Sequence, residues 1–243
     1  MTVDQQKKAA AAAAVALVRD GQKIGLGTGS TANHFIDLLG LEVKRGLKVL
    51  AVPTSKESHA RASKAGIPLT TLELHPVLDL TVDGADEFDP QFNLIKGGGG
   101  ALLIEKIVAS SSRYMFVIAD ESKKVEVLGK FPLPIEVVPF GFKSTAWKIE
   151  RAFEIAGLKA KLTVRVKNGK PFQTDAGHII IDAAIGRIPE PERLSGLLKF
   201  IPGVVDHGLF VGLCGRIWRF PRSGPGSVPN PPHSRAPSTM ISL

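Results

Sequence analysis

Cysteine and long apolar runs are both scarce in this chain of 243 residues. Its one cysteine, Cys214, cannot form a disulfide within the chain, which fits a reducing compartment, so we expect a cytoplasmic protein. No stretch approaches the roughly 20 apolar residues that a membrane span requires. Residues 9–18 follow Lys7 and Lys8 as in a signal peptide, but their alanine content and the lack of a cleavage pattern favour an ordinary first helix.

Acidic residues are missing after Asp206, which explains much of the formal net charge of +8. Arg216, Arg219, Arg222 and Arg235 supply half of that charge, and the remaining excess is spread without a long basic run. An anionic small substrate therefore explains it as well as DNA or RNA would. The 44% of hydrophobic residues are ample for a buried core and exclude a wholly disordered chain.

Helix and strand patterns alternate over the first two thirds of the chain, which predicts a parallel sheet with helices on its faces. We expect helices over residues 4–19 and 30–39, the second ended by Gly40, and a helix that Ser55 caps and Gly66 ends. Short strands are expected over residues 23–27, 47–52, 78–82 and 114–119.

The composition changes at residues 131–134, which suggests a domain boundary. Residues 131–203 predict a small α+β domain with a hairpin whose first turn signal is Asn168-Gly169. Residues 204–214 are apolar enough to return as a strand to the main sheet, which would complete a domain formed by residues 1–130. The remainder, residues 215–243, is rich in proline, arginine and serine, with six prolines, and we expect it to be disordered.

The first candidate site loop joins a strand to a helix and reads Gly25-Leu26-Gly27-Thr28-Gly29-Ser30-Thr31. Backbone N–H groups at a helix N-terminus bind phosphate, and the hydroxyls of Thr28, Ser30 and Thr31 add donors. The glycine spacing fits neither the dinucleotide fingerprint nor a P-loop, so a small phosphate ester is the better candidate. A tight turn with a simple Ser/Thr cap is the alternative.

The second loop, Asp83-Gly84-Ala85-Asp86-Glu87, follows a strand at the edge where open parallel sheets bind ligands. Its carboxylates could bind a metal or accept hydrogen bonds from sugar hydroxyls. No histidine lies nearby at metal-ligand spacing, which favours the sugar. Solvated turn acids would be the alternative without function.

The third loop is Lys96 followed by Gly97, Gly98, Gly99 and Gly100. Four successive glycines have a large conformational entropy cost, which a plain loop does not explain. They would let backbone amides close around an anion. Glu105 lies in the second turn of the helix that follows, where a solvated helix face is the alternative.

Together the loops offer what aldose–ketose isomerisation requires: a carboxylate base, donors for a developing oxyanion, partners for sugar hydroxyls and a grip on phosphate. Glu105 is the candidate base, Lys96 and the glycine amides are the oxyanion donors, and Asp83 and Asp86 are the hydroxyl partners.

These motifs resemble the type A ribose-5-phosphate isomerases. The matching segments are GLGTGST, VDGADE, IKGGGGALLIEKI, IADESKKVEVLGKFPLPIEV and IPGVVDHGLF, within residues 4–213. The resemblance implies a doubly wound, mostly parallel α/β domain with a smaller α+β domain, no metal, no organic cofactor and a homodimer or homotetramer.

The resemblance also implies roles for single residues. Glu105 matches the proton-transferring carboxylate, with Asp83 and Lys96 as further catalytic residues. The substrate-binding positions would be Thr28, Gly29, Ser30, Thr31, Asp83, Gly84, Ala85, Asp86, Lys96, Gly97, Gly98, Gly99 and Lys123. The predicted reaction interconverts D-ribose 5-phosphate and D-ribulose 5-phosphate through an enediolate. Neither nucleic acid nor membrane is expected as a partner.

Two rival functions share this sheet architecture. A sugar-phosphate sensor would use the phosphate loop without chemistry, but it has no need for Asp83, Asp86, Lys96 and Glu105 together. A CoA transferase would use its carboxylate as a nucleophile rather than as a base.

Overall fold

The computed structural model describes residues 1–220 and 226–227. Six α-helices and one 3₁₀ turn occur in this part of the chain. The helices are α1 Val3–Val15, α2 Ser30–Lys44, α3 Lys56–Ala65, α4 Leu102–Ser110, α5 Phe142–Ile155 and α6 Pro191–Lys199, and the 3₁₀ turn is Glu121–Lys123. No helix among the described residues is both long enough and apolar enough to cross a membrane.

Most of the strands in the described part of the chain are short. In chain order they are β1 Lys23–Leu26, β2 Leu50–Pro53, β3 Leu80–Asp83, β4 Glu87–Phe88, β5 Leu94–Ile95, β6 Met115–Asp120, β7 Leu133–Val137, β8 Lys161–Val164, β9 Val166–Lys167, β10 Lys170–Pro171, β11 Ile179–Ala184, β12 Val204–His207, β13 Leu209–Phe210, β14 Arg216–Phe220 and β15 Gly226–Ser227.

The largest sheet has the order β15-β14-β6-β3-β1-β2 and is parallel except for β15. Helices α1 and α2 cover one face, where Phe35 and Ile36 pack with the β1 side chains Ile24 and Leu26. Helix α4 covers the other face, against which Gly25 packs so closely that a Cβ there would collide with Val108. Helices on both faces confirm the predicted doubly wound, mostly parallel sheet.

A second, separate sheet has four antiparallel strands in the order β12-β7-β11-β8. Helices α5 and α6 pack on it through a separate core that includes Ile149, Phe153, Leu194 and Leu198. Asn168 and Gly169 both have positive φ angles and form the tight turn of the small β9–β10 hairpin, which lies within the connection between β8 and β11.

The predicted return of residues 204–214 to the main sheet is wrong. Val204–His207 pairs with β7 in the antiparallel sheet, and Leu209–Phe210 pairs with β5 in a three-stranded sheet, β13-β5-β4. The place beside β6 belongs instead to β14. Apolar composition predicted a strand, but it carries no information about which distant strand becomes the partner.

The tail also departs from expectation. Arg216–Phe220 is not disordered but pairs in parallel with β6, from Arg216 opposite Phe116 to Phe220 opposite Asp120. The prolines that argued against a strand begin only at Pro221. Gly226–Ser227 pairs with β14, and the rest of the predicted tail, residues 221–225 and 228–243, lies outside the described residues.

Two glycine predictions had different outcomes. Gly66 ends α3 in the left-handed conformation, with Ser55 capping the other end, as predicted. Gly40 does not end α2, which continues to Lys44. It allows close helix packing instead, because a Cβ at this position would lie 2.7 Å from the Ala65 Cβ of α3.

Candidate active site

The candidate site lies at the carboxyl edge of the main sheet, where the loops after β1 and β3 are neighbours. These strands pair in register from Ile24 opposite Leu80 to Leu26 opposite Val82, so the segments that follow them lie side by side. A Cβ at Gly27 would collide with the Asp83 carboxyl. Glycine is therefore required for the two loops to approach each other.

The N-terminus of α2 opens onto this edge. Gly29, the N-cap residue, has a positive φ of 108°, which favours glycine, and no side chain caps the helix. Lys7, on α1, donates from Nζ to Ser30 Oγ over 2.9 Å. Thr28 Oγ1 lies 2.8 Å from both Thr54 Oγ1 and Ser55 Oγ, which fixes the start of the loop. An uncapped helix N-terminus with a lysine beside it suits an anion.

Asp83 is fully buried at the end of β3. Its Oδ1 accepts hydrogen bonds from the backbone N–H groups of Thr28 (3.2 Å) and Gly84 (2.7 Å). Its Oδ2 lies 2.9 Å from Lys96 Nζ. Burial raises the pKa of the Asp83 carboxyl, while Lys96 and the two N–H groups act in the opposite direction.

Lys96 follows β5 and is only 3% exposed. Besides Asp83, its Nζ lies 3.2 Å from Glu105 Oε2 and donates to the Gly84 carbonyl over 2.9 Å. Burial alone would lower the pKa of this ammonium, but the charges of Asp83 and Glu105 raise it above the ordinary value. Lys96 is therefore a firmly charged donor between two carboxylates.

Glu105 lies in the first turn of α4 and is 4% exposed. Burial, and next the charge of Asp83, raise the pKa of the Glu105 carboxyl to about 8, against the opposing charge of Lys96. Asp83 and Glu105 both contact Lys96, but Asp83 also accepts hydrogen bonds from two backbone N–H groups, so the charge of Glu105 is the less compensated of the two. A carboxyl that gains and loses a proton near neutral pH is suited to general acid–base catalysis.

The glycine loop, residues 97–100, contributes three residues to the same cleft as Lys96 and Glu105. Asp86 Oδ2 accepts a hydrogen bond from the Gly98 N–H over 2.8 Å. Gly97 and Gly100 have φ angles of 101° and 86°, in the left-handed region that favours glycine. The loop thus needs glycine for its conformation as well as for close approach.

One cleft brings together nearly all the predicted site residues. It is lined by Lys7, Thr28, Gly29, Ser30, Thr31, Gly84, Ala85, Asp86, Lys96, Gly97, Gly98, Gly99, Glu105 and Lys123. Asp83, predicted as a sugar-hydroxyl partner, is not among them, because its carboxyl is fully buried and is paired with Lys96 and two backbone N–H groups.

Lys7 was missed as a site residue by sequence reasoning. Its positive charge and place on the first helix were the only signals, and they did not distinguish it from Lys8. Only the packing of α1 against α2 shows that Lys7 contacts Ser30.

Among the residues that the structure describes, no group of three or more histidine, cysteine, aspartate or glutamate side chains has a metal-binding arrangement. The cleft offers ammonium groups, backbone amides and carboxylates. Groups of this kind suit the binding of an anion at one end of the cleft and the transfer of a proton at the other.

Comparison with known proteins agrees with this chemistry. Residues 50–219 match the family model for ribose 5-phosphate isomerase A (phosphoriboisomerase A). Ribose-5-phosphate isomerase A of Nitrobacter hamburgensis is 59% identical, over 88% of this chain and 92% of the relative. The Bradyrhizobium diazoefficiens enzyme of that name is 56% identical, over 88% and 90%.

Solved structures give the same result. Ribose 5-phosphate isomerase from Plasmodium falciparum has a TM-score of 0.90 at 38% identity, covering 95% of this chain and 100% of that one. A D-ribose-5-phosphate isomerase in complex with phospho-erythronic acid has a TM-score of 0.87 at 40% identity, covering 94% and 99%. The chain belongs to the ribose 5-phosphate isomerase A family.

Proposed function

We propose that this chain interconverts D-ribose 5-phosphate and D-ribulose 5-phosphate, with Glu105 as the base that transfers the proton. The observation that carries the proposal is the buried Glu105 carboxyl beside the Lys96 ammonium, in the cleft that also contains the uncapped N-terminus of α2. Family membership supports the isomerase over a sensor or a CoA transferase.

The substrate phosphate would bind at the N-terminus of α2. The helix N–H groups, the hydroxyls of Ser30 and Thr31 and the ammonium groups of Lys7 and Lys123 provide donors there. This grip would orient the open-chain sugar with its first two carbons toward Glu105, and positioning of this kind is a large part of catalysis.

In the aldose-to-ketose direction, ionised Glu105 takes the proton from C2, and the C2–H electrons form the C1–C2 double bond of an enediolate. The C1 carbonyl oxygen becomes an oxyanion, stabilised by the Lys96 ammonium and the glycine-loop amides. Glu105 then returns the proton to C1 while the hydroxyl proton leaves O2, which becomes the ketone oxygen. O1 gains a proton as O2 loses one, so no proton is taken up or released overall.

Asp83 acts in this proposal through Lys96 rather than on the sugar. Its carboxylate holds Nζ at 2.9 Å and balances the ammonium charge in a buried site. Asp86 lines the cleft and is free to accept a sugar hydroxyl with the oxygen that does not bind Gly98.

The test is a direct assay with ribose 5-phosphate, following ribulose 5-phosphate, on the purified chain and on Glu105→Gln. Turnover by the wild-type chain that is lost in the variant would support the proposal. Binding without turnover would favour the sensor, and a covalent acyl adduct on Glu105 with a CoA thioester would favour the transferase.

The cellular setting belongs to the same proposal. One cysteine and the absence of a disulfide partner fit the cytoplasm.

A homodimer or homotetramer, as the resemblance implies, is the expected assembly. Light scattering coupled to size-exclusion chromatography would test it, and a monomeric mass would contradict it.

A further inference from the structure

The glycine loop is held from outside the main α/β layer by an arginine of the antiparallel unit. Arg165 lies between β8 and β9, and its Nη1 donates to the carbonyls of Gly97 (2.8 Å) and Gly98 (3.1 Å). Both carbonyls belong to the loop whose residues Gly97, Gly98 and Gly99 line the cleft. Arg165 has no part in the proton transfer proposed for Glu105.

The guanidinium is itself fixed on its other edges. Nε donates to Asp182 Oδ2 over 2.9 Å and Nη2 donates to Asp182 Oδ1 over 2.5 Å, a bidentate pair with β11. The guanidinium carbon lies 5.9 Å from the centre of the Phe172 ring, within the range of a cation–π contact. The side chain of Arg165 is 15% exposed.

Phe172 also closes the space beside the loop. A Cβ at Gly100 would collide with the edge of the Phe172 ring. Arg165 and Phe172 therefore add contacts to a glycine loop that is also held by the Gly98–Asp86 hydrogen bond and by the turn bond from the Gly100 N–H to the Gly97 carbonyl.

Peptide planarity turns these outer contacts into an effect on the cleft. In a trans peptide the C=O and the N–H point in opposite directions. When Arg165 binds the Gly97 carbonyl, the Gly98 N–H of the same peptide points away from it, and that N–H is indeed bound by Asp86. By the same geometry, the contact with the Gly98 carbonyl points the Gly99 N–H away from Arg165, and Gly99 itself lines the cleft.

We propose that Arg165 is a positioning residue that holds the Gly97–Gly99 peptides so that the Gly99 N–H is presented to the developing oxyanion. This inference rests on the proposed isomerase reaction. Arg165 does not touch the substrate. Its guanidinium also withdraws electron density through the two carbonyls, which strengthens the N–H donors of the same peptides.

The test variant is Arg165→Lys, which keeps the positive charge and can still pair with Asp182 but cannot bind both carbonyls in the same geometry. The matched control is Arg193→Lys. Arg193 also binds a carboxylate (Glu190, 3.0 Å) and a backbone carbonyl (Ile155, 3.1 Å), but it lies on α6, outside the cleft lining.

For Arg165→Lys we expect kcat to fall by about 10- to 100-fold, because small misplacements of catalytic groups have effects of this size. KM for ribose 5-phosphate should stay within about threefold, since phosphate is held at α2. Affinity for phospho-erythronic acid, whose planar carboxylate places negative charge as an enediolate does, should fall in parallel with kcat. Inhibition by inorganic phosphate should not change, and Arg193→Lys should match the wild type.

A kcat within twofold of wild type in folded Arg165→Lys would overturn the inference. So would equal losses of affinity for inorganic phosphate and phospho-erythronic acid, which would show a general disturbance of the cleft. If Arg165→Lys melts early, the double variant Arg165→Met with Asp182→Asn leaves no unpaired charge and has the same expected kinetics and the same refuting results. If these tests fail while the wild type turns over and Glu105→Gln is inactive, the positioning role of Arg165 is refuted but the proposed function is not.

Discussion

Replacing Glu105 by glutamine should have opposite effects on activity and on stability. Glutamine keeps the shape of the side chain but cannot accept the substrate proton. Loss of a positioned general base lowers the rate by about 10²–10⁴-fold. Substrate binding should change little, because the phosphate site at α2 and Lys7 does not involve Glu105.

The stability effect follows from the raised pKa of Glu105. In the folded chain this pKa is about 8, above the ordinary value of 4.5, so the folded state holds a proton that the unfolded state has lost between these pH values. Stability therefore falls as the pH rises through this window, by about 1.4 kcal/mol for each pH unit across which the proton difference is complete. Glutamine removes this loss, and it leaves Lys96 paired with Asp83. We expect the variant to be more stable than wild type at pH 9, by a few kcal/mol.

The assay combines steady-state turnover with thermal melts at pH 6 and pH 9. The melting temperature of Glu105→Gln should exceed that of wild type by several degrees at pH 9 and by less at pH 6. Glu126→Gln, at an 84% exposed carboxylate, is the matched control and should change neither turnover nor melting. More than a tenth of wild-type turnover in Glu105→Gln would assign the base elsewhere. A lower melting temperature at pH 9 would refute the argument that its charge is poorly compensated.

Further predictions concern the base, the phosphate, metal and the last strand. Since the base must be ionised, kcat should rise with pH and level off above about pH 8, and a flat profile from pH 6 to 9 would contradict this in a pH-rate series. Lys7→Met should raise KM at least tenfold with a small change in kcat, because one charge-assisted contact contributes roughly 1.5–3 kcal/mol, and free ribose should be a very poor substrate in the same assay. Treatment with a chelator should leave turnover unchanged, and a loss restored by divalent cations would overturn the sugar interpretation of Asp86. Truncation after Gly215 should lower the melting temperature, because it leaves β6 unpaired on one side, and a melt equal to that of the full chain would contradict this pairing.

Local sequence was enough to predict the site loops. The glycines and hydroxyls after β1, the acidic turn after β3 and the glycine run before α4 each have a local conformational or chemical reason. The rule that parallel strands share a carboxyl edge then brings them together. Glu105 followed from its place in the first turns after the glycine loop.

Pairing between distant segments could not be predicted in this way. Nothing local marks β14 as the neighbour of β6 or β12 as the neighbour of β7. For the same reason the sequence did not predict that Lys7 lines the cleft, which depends on helix packing. It also did not predict the orientation of Asp83, which depends on its contact with Lys96 from a distant part of the chain. These are long-range contacts, and hydrophobic patterning specifies faces rather than partners.

The segment Asp206–Gly208 contacts two parts of the candidate site, from which it is distant in sequence. The Gly208 carbonyl accepts from the Lys96 N–H over 2.9 Å. Lys106, next to Glu105 on α4, donates to Asp206 Oδ1 (2.5 Å) and to the His207 carbonyl (2.6 Å). One short segment thus contacts both Lys96, at the end of β5, and α4, the helix that carries the proposed base Glu105.

His207, the histidine in this segment, stays uncharged at neutral pH. Burial, and next the charge of Lys106, lower the pKa of His207 to about 3, below the ordinary 6.5. Its contribution to stability is therefore complete above pH 6.5 and declines as the pH falls toward 3. The contribution of Glu105 has the opposite slope between pH 4.5 and 8, so the two oppose each other from pH 4.5 to 6.5. Above pH 6.5 only Glu105 of this pair still titrates, and it gains the ionised form that the proposed reaction needs as the pH rises toward 8.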